Sequence, residues 1–380
     1  MFVCEKCGCK EEKYFGINKG TKYCRRCISF KGEEAEQKKF FFKEKIVPIL
    51  KYELTKDQKN VSSKVCEALE NKKNILIYAV CGAGKTEIVY ESMAHFLSKG
   101  LQVGFCIPRK DVVIELEPRI REVFPNVEIT SVYGGHNDKL TGDIILLTTH
   151  QLFRYVNYFD LLIIDETDAF PFSNNEVLKN IFTNSIRGNY IMMSATPLEW
   201  MKKKIKEENG EIFMLMKRHH GHRLIVPQIK IYPLFQFLFV IDRLLIFKKE
   251  NKPCLIFCPT IEEAERLFSL LKIFLPNIRC VHSKKVDREY IIKDFKEGKY
   301  LFLVTTSVLE RGITIKNLQV IVYNSSHSIY NTETLIQISG RVGRKTDAYT
   351  GEVLFFAKKP TPFMKEAVDK INEANDYEPL

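Results

Sequence analysis

The chain has 380 residues, 45% apolar and 28% charged, with 58 Lys+Arg against 47 Asp+Glu. That composition argues against an intrinsically disordered chain and leaves room for two ordinary domains and a small appendage. The formal charge of +11 favours polyanions, nucleic acid or an anionic membrane face, without choosing between them.

In chain order, the first feature is a pair of cysteine knuckles. Cys4-x-x-Cys7 and Cys24-x-x-Cys27 stand sixteen residues apart, a spacing that lets four thiolates surround one Zn²⁺ tetrahedrally. A segment this short builds no core of its own, so metal would supply its folding energy. Cys9 is a fifth thiol that competes as a ligand. The other six cysteines (Cys66, Cys81, Cys106, Cys254, Cys258, Cys280) read as reduced thiols. An odd total of eleven argues against a secreted disulfide framework. The N-terminus has no basic region followed by an apolar stretch, so no leader is expected. The most apolar run, 234–247, is broken by Asp242 and Arg243 and is shorter than the ~20 residues a membrane span takes. A cytoplasmic protein, at most peripheral on the inner face of a membrane, is the expectation.

Residues 31–53 are charged and aromatic, with Phe40-Phe41-Phe42, and read as a connector. From Leu54 onward, apolar runs bounded by turn residues read as buried parallel strands: 75–80, 103–107, 144–148, 161–164 and 190–194. Amphipathic segments lie between them. A charged stretch and His219-His220-Gly221-His222 follow, and a second series places strands at 254–258, 278–281, 301–305, 320–323 and 351–356. The expected class is therefore α/β, two doubly wound parallel-sheet domains behind a small zinc-binding module. The boundaries are 1–30 for the zinc module, 31–53 for the connector and 54–205 for the first domain. Then come a junction at 206–228, the second domain at 229–359 and a C-terminal tail at 360–380. The histidine cluster reads as a basic junction, with metal or phosphate binding as the alternative.

The segment Ala79-Val80-Cys81-Gly82-Ala83-Gly84-Lys85-Thr86 follows a strand and opens a helix, the context of a phosphate-binding loop. Gly82 and Gly84 let backbone N–H groups approach the phosphates of ATP around Ala83, and the helix N-terminus adds positive dipole. Lys85 is placed to reach the β/γ-phosphates and Thr86 to ligate Mg²⁺. Ala79 stands where the usual pattern has Gly. About eighty residues on, the apolar run 161–164 ends in Asp165-Glu166-Thr167-Asp168. Asp165 is suited to hold Mg²⁺, and Glu166 to orient and deprotonate an attacking water.

At this point the chain resembles the DEAD/DEAH-type superfamily 2 helicases, with Asp-Glu-Thr-Asp as a variant of their second motif. The resemblance implies two tandem RecA-like domains and assigns further residues. Gln58 in Leu54–Gln58 resembles the adenine-reading motif. Pro108, Arg109, Thr148, Thr149 and His150 match nucleic-acid contacts of the first domain, and Ser194-Ala195-Thr196 matches the element coupling hydrolysis to movement. In the second half, Thr305, Thr306 and Gly312 fall in the fifth motif, with Thr314 where the family pattern has Asp. Gln337–Arg344 resembles the last motif. Arg341 and Arg344 lie three apart, read as one helix face, and their planar forks suit a γ-phosphate.

The knuckles, the Asp-Glu-Thr-Asp variant and the histidine-rich junction together resemble the ComFA family of late competence proteins. That resemblance implies a single-stranded-DNA-dependent ATPase driving uptake of transforming DNA with ATP, Mg²⁺ and Zn²⁺. It also implies work beside the competence protein ComFC and the ComEC channel, with oligomerisation open. A PriA-like restart helicase and an RNA helicase are the alternatives. A non-enzymatic zinc adaptor is disfavoured by the intact catalytic set.

Overall fold

A computed structural model describes residues 3–30, 32–37, 44–310 and 313–377. Gly312 and the aromatic run Phe40–Phe42 of the connector lie outside the described residues. The chain divides into one unit of Met1–Ala79 with Gly84–Leu215, and a second of Val80–Ala83 with Met216–Leu380.

The first unit opens with the hairpin β1 (Phe15–Asn18) and β2 (Thr21–Cys24), antiparallel, which delivers Cys24 to the second knuckle. Its main sheet takes β3 (Ile75–Ala79), β4 (Val103–Ile107), β5 (Ile129–Val132), β6 (Ile144–Thr148), β7 (Phe159–Ile164), β8 (Ile186–Ser194) and β9 (Glu211–Leu215). The order is β5-β6-β4-β7-β8-β3-β9, with every pair parallel. The central strands are buried on both faces, which is why they read as continuous apolar runs. Residues 211–215, placed in the junction by sequence, are instead the edge strand beside β3. Their partial exposure, with only Leu215 buried, hid that role.

The four-cysteine module is packed onto this unit. Asn184 Nδ2 donates to the carbonyls of Glu5 and Lys6 at 2.6 and 3.2 Å. The five N-terminal cysteines share a buried cluster with Phe153, Leu178, Ile181 and Phe182. Burial of such side chains contributes about 1.5–3 kcal/mol each, so the module borrows the core that its own length denies it. Part of the connector is fixed too, Ala35 N donating to Arg154 O at 2.8 Å and Arg154 Nη1 to Glu33 O at 2.9 Å.

The second unit holds β10 (Gln228–Ile231), β11 (Cys254–Phe257), β12 (Arg279–Val281), β13 (Phe302–Thr305), β14 (Gln319–Val322) and β15 (Val353–Ala357). They form a parallel sheet ordered β10-β15-β14-β11-β13-β12. One face is covered by the helices Gln236–Lys249 and Ile261–Phe274, the other by Thr332–Ser339 and Pro362–Asp376. The last helix corrects the expectation of a tail from 360: Met364, Ala367, Ile371 and Ala374 are buried along one side. Apolar spacing of three to four residues is the pattern of a helix lying on a core. Cys254, Cys258 and Cys280 are buried, as their surroundings suggested.

Candidate nucleotide site, strand contacts and zinc module

In an open parallel sheet, ligands bind outside the carboxyl ends of the strands. Every candidate site residue of the first unit's sheet stands at such an end or one turn beyond: after β3, β4, β6, β7 and β8. The turn out of β3 places Gly82 at φ +83° and Gly84 at φ +82°, and the helix Lys85–Ile88 starts immediately. A side chain at Gly84 meets a specific obstacle, because a Cβ there would fall inside 3.0 Å of Gln58 Nε2. Gln58 is buried. Its Oε1 accepts from Thr55 N at 2.8 Å, while Thr55 Oγ1 accepts from Gln58 N at 3.3 Å, a reciprocal helix cap. The residue assigned to adenine thus also pins a helix start against the phosphate loop.

Lys85 Nζ lies 3.8 Å from Asp165 Oδ1. Burial raises the Asp165 carboxyl above its ordinary range; Lys85 pulls the other way and Glu166 adds to the rise. Glu166 sits at φ +56°, a conformation unusual for a residue with Cβ, and its N–H donates to Asp165 Oδ1 at 2.8 Å. Strain of about 1–3 kcal/mol at such a position marks a geometry that the surroundings impose. Asp168 turns the other way. Its Oδ1 accepts from Ser194 Oγ at 2.7 Å, its Oδ2 from Thr196 Oγ1 at 3.1 Å, and Thr196 N donates to Ser194 Oγ at 2.9 Å. A Ser-Ala-Thr triplet says little by itself in a sequence; here its two hydroxyls are bonded to the acidic motif.

Pro108 is buried after β4, and Arg109 stands at the N-cap position of the helix Lys110–Val123. Thr148 ends β6, and Thr149 and His150 begin a 3₁₀ turn. Thr149 Oγ1 is buried without a hydrogen-bond partner among the described residues. His150 stacks on Phe30, ring centroids 6.0 Å apart at 20°, and partial burial lowers its pKa. The four-cysteine module therefore touches the element expected to hold nucleic acid, a juxtaposition with no signal in the local sequence.

In the second unit, Thr305 and Thr306 are buried at the end of β13. Arg341 and Arg344 do not share a helix face. The helix Thr332–Ser339 stops with Gly340 as its cap, and tighter turn bonds follow, Arg341 N to Ile338 O and Val342 N to Ser339 O. Arg341 is buried, donating from Nη1 to Ile313 O at 3.1 Å. Arg344 Nη1 reaches Thr314 Oγ1 at 3.4 Å, so the threonine that replaces the family's Asp holds this arginine.

Cys4, Cys7, Cys24 and Cys27 have all four Sγ atoms within 4.8 Å of one another, and all four residues are buried. Cys4 Sγ is 3.5 Å from Cys27 Sγ and Cys7 Sγ 3.6 Å from Cys24 Sγ. Zn–S bonds of about 2.3 Å in a tetrahedron give sulfur separations of about 3.8 Å, so the set fits zinc. Burial pushes the Cys7 thiol to about 12 and Cys27 well up too, as expected of thiols brought together without a cation among them. Cys9 is buried beside them, and its carbonyl accepts from Cys4 N at 3.0 Å, shaping the first knuckle.

Two other clusters engage their groups in hydrogen bonds and ring contacts. Glu265, Cys280 and His282 converge, but His282 Nδ1 accepts from Lys284 N at 3.3 Å, which leaves the proton on Nε2 for Glu265 at 2.8 Å. The junction histidines are spent separately: His219 Nδ1 on Gly82 O, His220 Nε2 on Gly343 O, and His222 on the ring of Tyr349.

This ordered site on this fold defines a superfamily 2 helicase-type, nucleic-acid-dependent ATPase. The family model "Type III restriction enzyme, res subunit" matches residues 51–199, and "Helicase conserved C-terminal domain" matches 237–346. The solved structure of S. cerevisiae Dbp5 bound to RNA and ADP BeF3 is similar in fold, with a TM-score of 0.61 at 15% identity over 85% of this chain and 92% of that one.

Within that class the chain belongs to the ComFA family of competence proteins. It is 34% identical to Competence protein ComFA of Streptococcus pneumoniae, over 98% of this chain and 90% of that protein. Identity to Competence protein ComFA of Bacillus subtilis is 31%, over 99% of this chain and 86% of that protein. Among the described residues, no helix is long and apolar enough to cross a membrane.

Proposed function

We propose that the chain is an ATP-driven motor that pulls single-stranded DNA during the uptake of transforming DNA, working on the inner face of the cell membrane. The observation that carries this reading is the pair of bonds from Asp168 to Ser194 and Thr196. It links the carboxylates that face the phosphate loop to the end of the neighbouring strand, so a change at the nucleotide is passed on by a rigid path. Backbone N–H groups from Gly82 to Thr86 and Lys85 Nζ bind the triphosphate, and Thr86 and Asp165 would hold Mg²⁺, which when bound would supply positive charge against the transferring phosphoryl group. Glu166 orients the attacking water and takes its proton. Arg341 and Arg344 stabilise charge on the γ-phosphate. Pro108, Arg109, Thr148, Thr149, His150, Thr305 and Thr306 position the strand through its backbone, without reading bases. Membership of a competence family supports DNA rather than RNA as the track, and ComFC and ComEC as partners. Displacement of streptavidin from either end of a biotinylated single strand tests the motor. ATP-dependent displacement at one end supports it; none at either end refutes it.

A further inference from the structure

The four-cysteine module has no part in the motif series, yet within the first unit it grips one element of that series. Phe30 N donates to Cys27 O at 2.9 Å, so the ring leaves the second knuckle on a closed turn. The half-buried Phe30 ring lies over His150 and tilts against Phe153, centroids 5.9 Å apart at 58°. The chain beyond it holds the far end of the same 3₁₀ turn, Thr149–Arg154. Gly32 passes so close that a Cβ there would fall inside 3.0 Å of the Arg154 guanidinium. Arg154 bonds Glu33 O and Ala35 N, and its Nε donates to Gln151 Oε1 at 2.8 Å.

The grip has an independent footing. Asn184, at the end of the helix Glu176–Ser185, bonds the carbonyls of Glu5 and Lys6 in the first knuckle. Lys6 Nζ lies 3.3 Å from Glu34 Oε1, tying that knuckle to the segment after the second. Ser185 Oγ donates to Leu152 O at 3.0 Å, so the same helix also holds the turn. A 3₁₀ turn has poor hydrogen-bond geometry of its own and depends on such neighbours. Within it Thr149, Leu152, Phe153 and Arg154 are buried, while His150 is exposed. An exposed imidazole ordinarily samples several rotamers. Here one face of the ring rests on Phe30, which selects one pose. A flat ring fixed at the surface is a stacking platform for a nucleobase, and it accepts any base because every base has a π-face.

We propose that Phe30 is a positioning residue for strand binding: from the four-cysteine module it holds the His150 imidazole in the pose that stacks on a base of single-stranded DNA. The module then serves the strand through a side chain of the turn and makes no base contact with Phe30 itself. The gain is preorganisation, since the ring is ordered before the strand arrives. The proposal rests on the reading of His150 as a strand contact.

The test measures equilibrium binding of a fluorescent oligothymidylate to the full chain without nucleotide. The parent, Phe30→Ala, Phe30→Trp, His150→Ala and the double alanine variant are compared, with fluorescent ADP binding and zinc content read on each. Loss of a base stack weakens strand binding about tenfold in His150→Ala. Phe30→Ala weakens it about three- to tenfold with ADP affinity and zinc content retained, and Phe30→Trp, which keeps a flat ring, stays within about twofold of the parent. The double variant is no weaker than His150→Ala alone, because Phe30 acts through His150. Losses that add in the double variant give Phe30 a contact of its own and overturn the proposal, as does unchanged affinity in Phe30→Ala. If Phe30→Ala sheds its zinc or fails to fold, Phe30→Leu, which fills the space without a ring, carries the same comparison. Parent-like strand binding by His150→Ala removes the strand-contact reading of His150 and this inference with it. A chain that shows the coupling yet displaces no streptavidin sinks the motor and leaves the inference standing.

Discussion

Replacing Gly84 by Ala adds one methyl at the mouth of the phosphate loop, and the structure sets its cost. The position holds φ +82°, where an L-residue costs about 1–2 kcal/mol. The new methyl also falls inside 3.0 Å of Gln58 Nε2. Gln58 has little freedom to retreat, because its Oε1 is bonded to Thr55 N at 2.8 Å, and giving up that bond costs about 0.5–1.5 kcal/mol. Without nucleotide the loop escapes by adopting another turn; binding ATP forces it back and the sum is incurred then. About 2–3 kcal/mol corresponds to a loss of roughly 30- to 150-fold in ATP affinity. The assay is equilibrium binding of a fluorescent ATP analogue to the parent, Gly84→Ala, Gln58→Ala and the double variant. Measured against Gln58→Ala alone, which carries its own loss of the adenine contact, Gly84→Ala costs about 1 kcal/mol less than in the parent, because the clash is gone and only the dihedral strain remains. Affinity of Gly84→Ala within threefold of the parent, or no coupling between the two sites, refutes the reasoning.

The remaining predictions address the chemistry, its coupling and the metal. Glu166→Gln keeps ATP binding and lowers turnover by about 10²–10⁴, the usual contribution of a general base; normal turnover removes Glu166 from that role. Ser194→Ala and Thr196→Val each take away one bond to Asp168 and leave hydrolysis while strand displacement per ATP falls, read by running both assays on one sample. Because burial raises the Asp165 carboxyl in the fold, its ionised form costs stability in full above the raised folded pKa, and that cost shrinks as pH falls from there and is gone below the unfolded pKa. Asp165→Asn therefore raises the thermal midpoint of the Mg²⁺-free chain at neutral pH and flattens its rise toward acid, while ending Mg²⁺-dependent turnover; a lower midpoint contradicts the sign. Cys4→Ser with Cys7→Ser loses about one zinc per chain, checked by metal analysis, and unchanged content dismisses the knuckles.

Much of the fold was legible because a parallel sheet buried on both faces writes its strands as continuous apolar runs. Strands 103–107 and 144–148 were read to the residue. Strand Ile129–Val132 was not, since Ile-Thr-Ser-Val carries two hydroxyls and is only four residues long. The strand 211–215 follows a lysine-rich helix and keeps an exposed face, so charge masked it. The phosphate loop and acidic motif were visible because their chemistry is local in sequence. The pairing of Asp168 with Ser194 and Thr196 spans 26 and 28 residues, and the stack of Phe30 on His150 joins segments far apart in sequence. Neither leaves a local pattern. Arg341 and Arg344 were found by motif, but their helix was overextended, because spacing alone does not reveal the cap at Gly340.

Phosphate release by the purified chain with Mg²⁺-ATP, set against equal nucleotide concentrations of single-stranded DNA, duplex DNA and single-stranded RNA, reaches the heart of the matter. Turnover low without polymer and raised most by the DNA single strand is the outcome expected of a motor whose carboxylates report to a strand-holding surface. No turnover under any condition, or a rate indifferent to polymer, would leave the chain a nucleotide-binding adaptor and contradict the account.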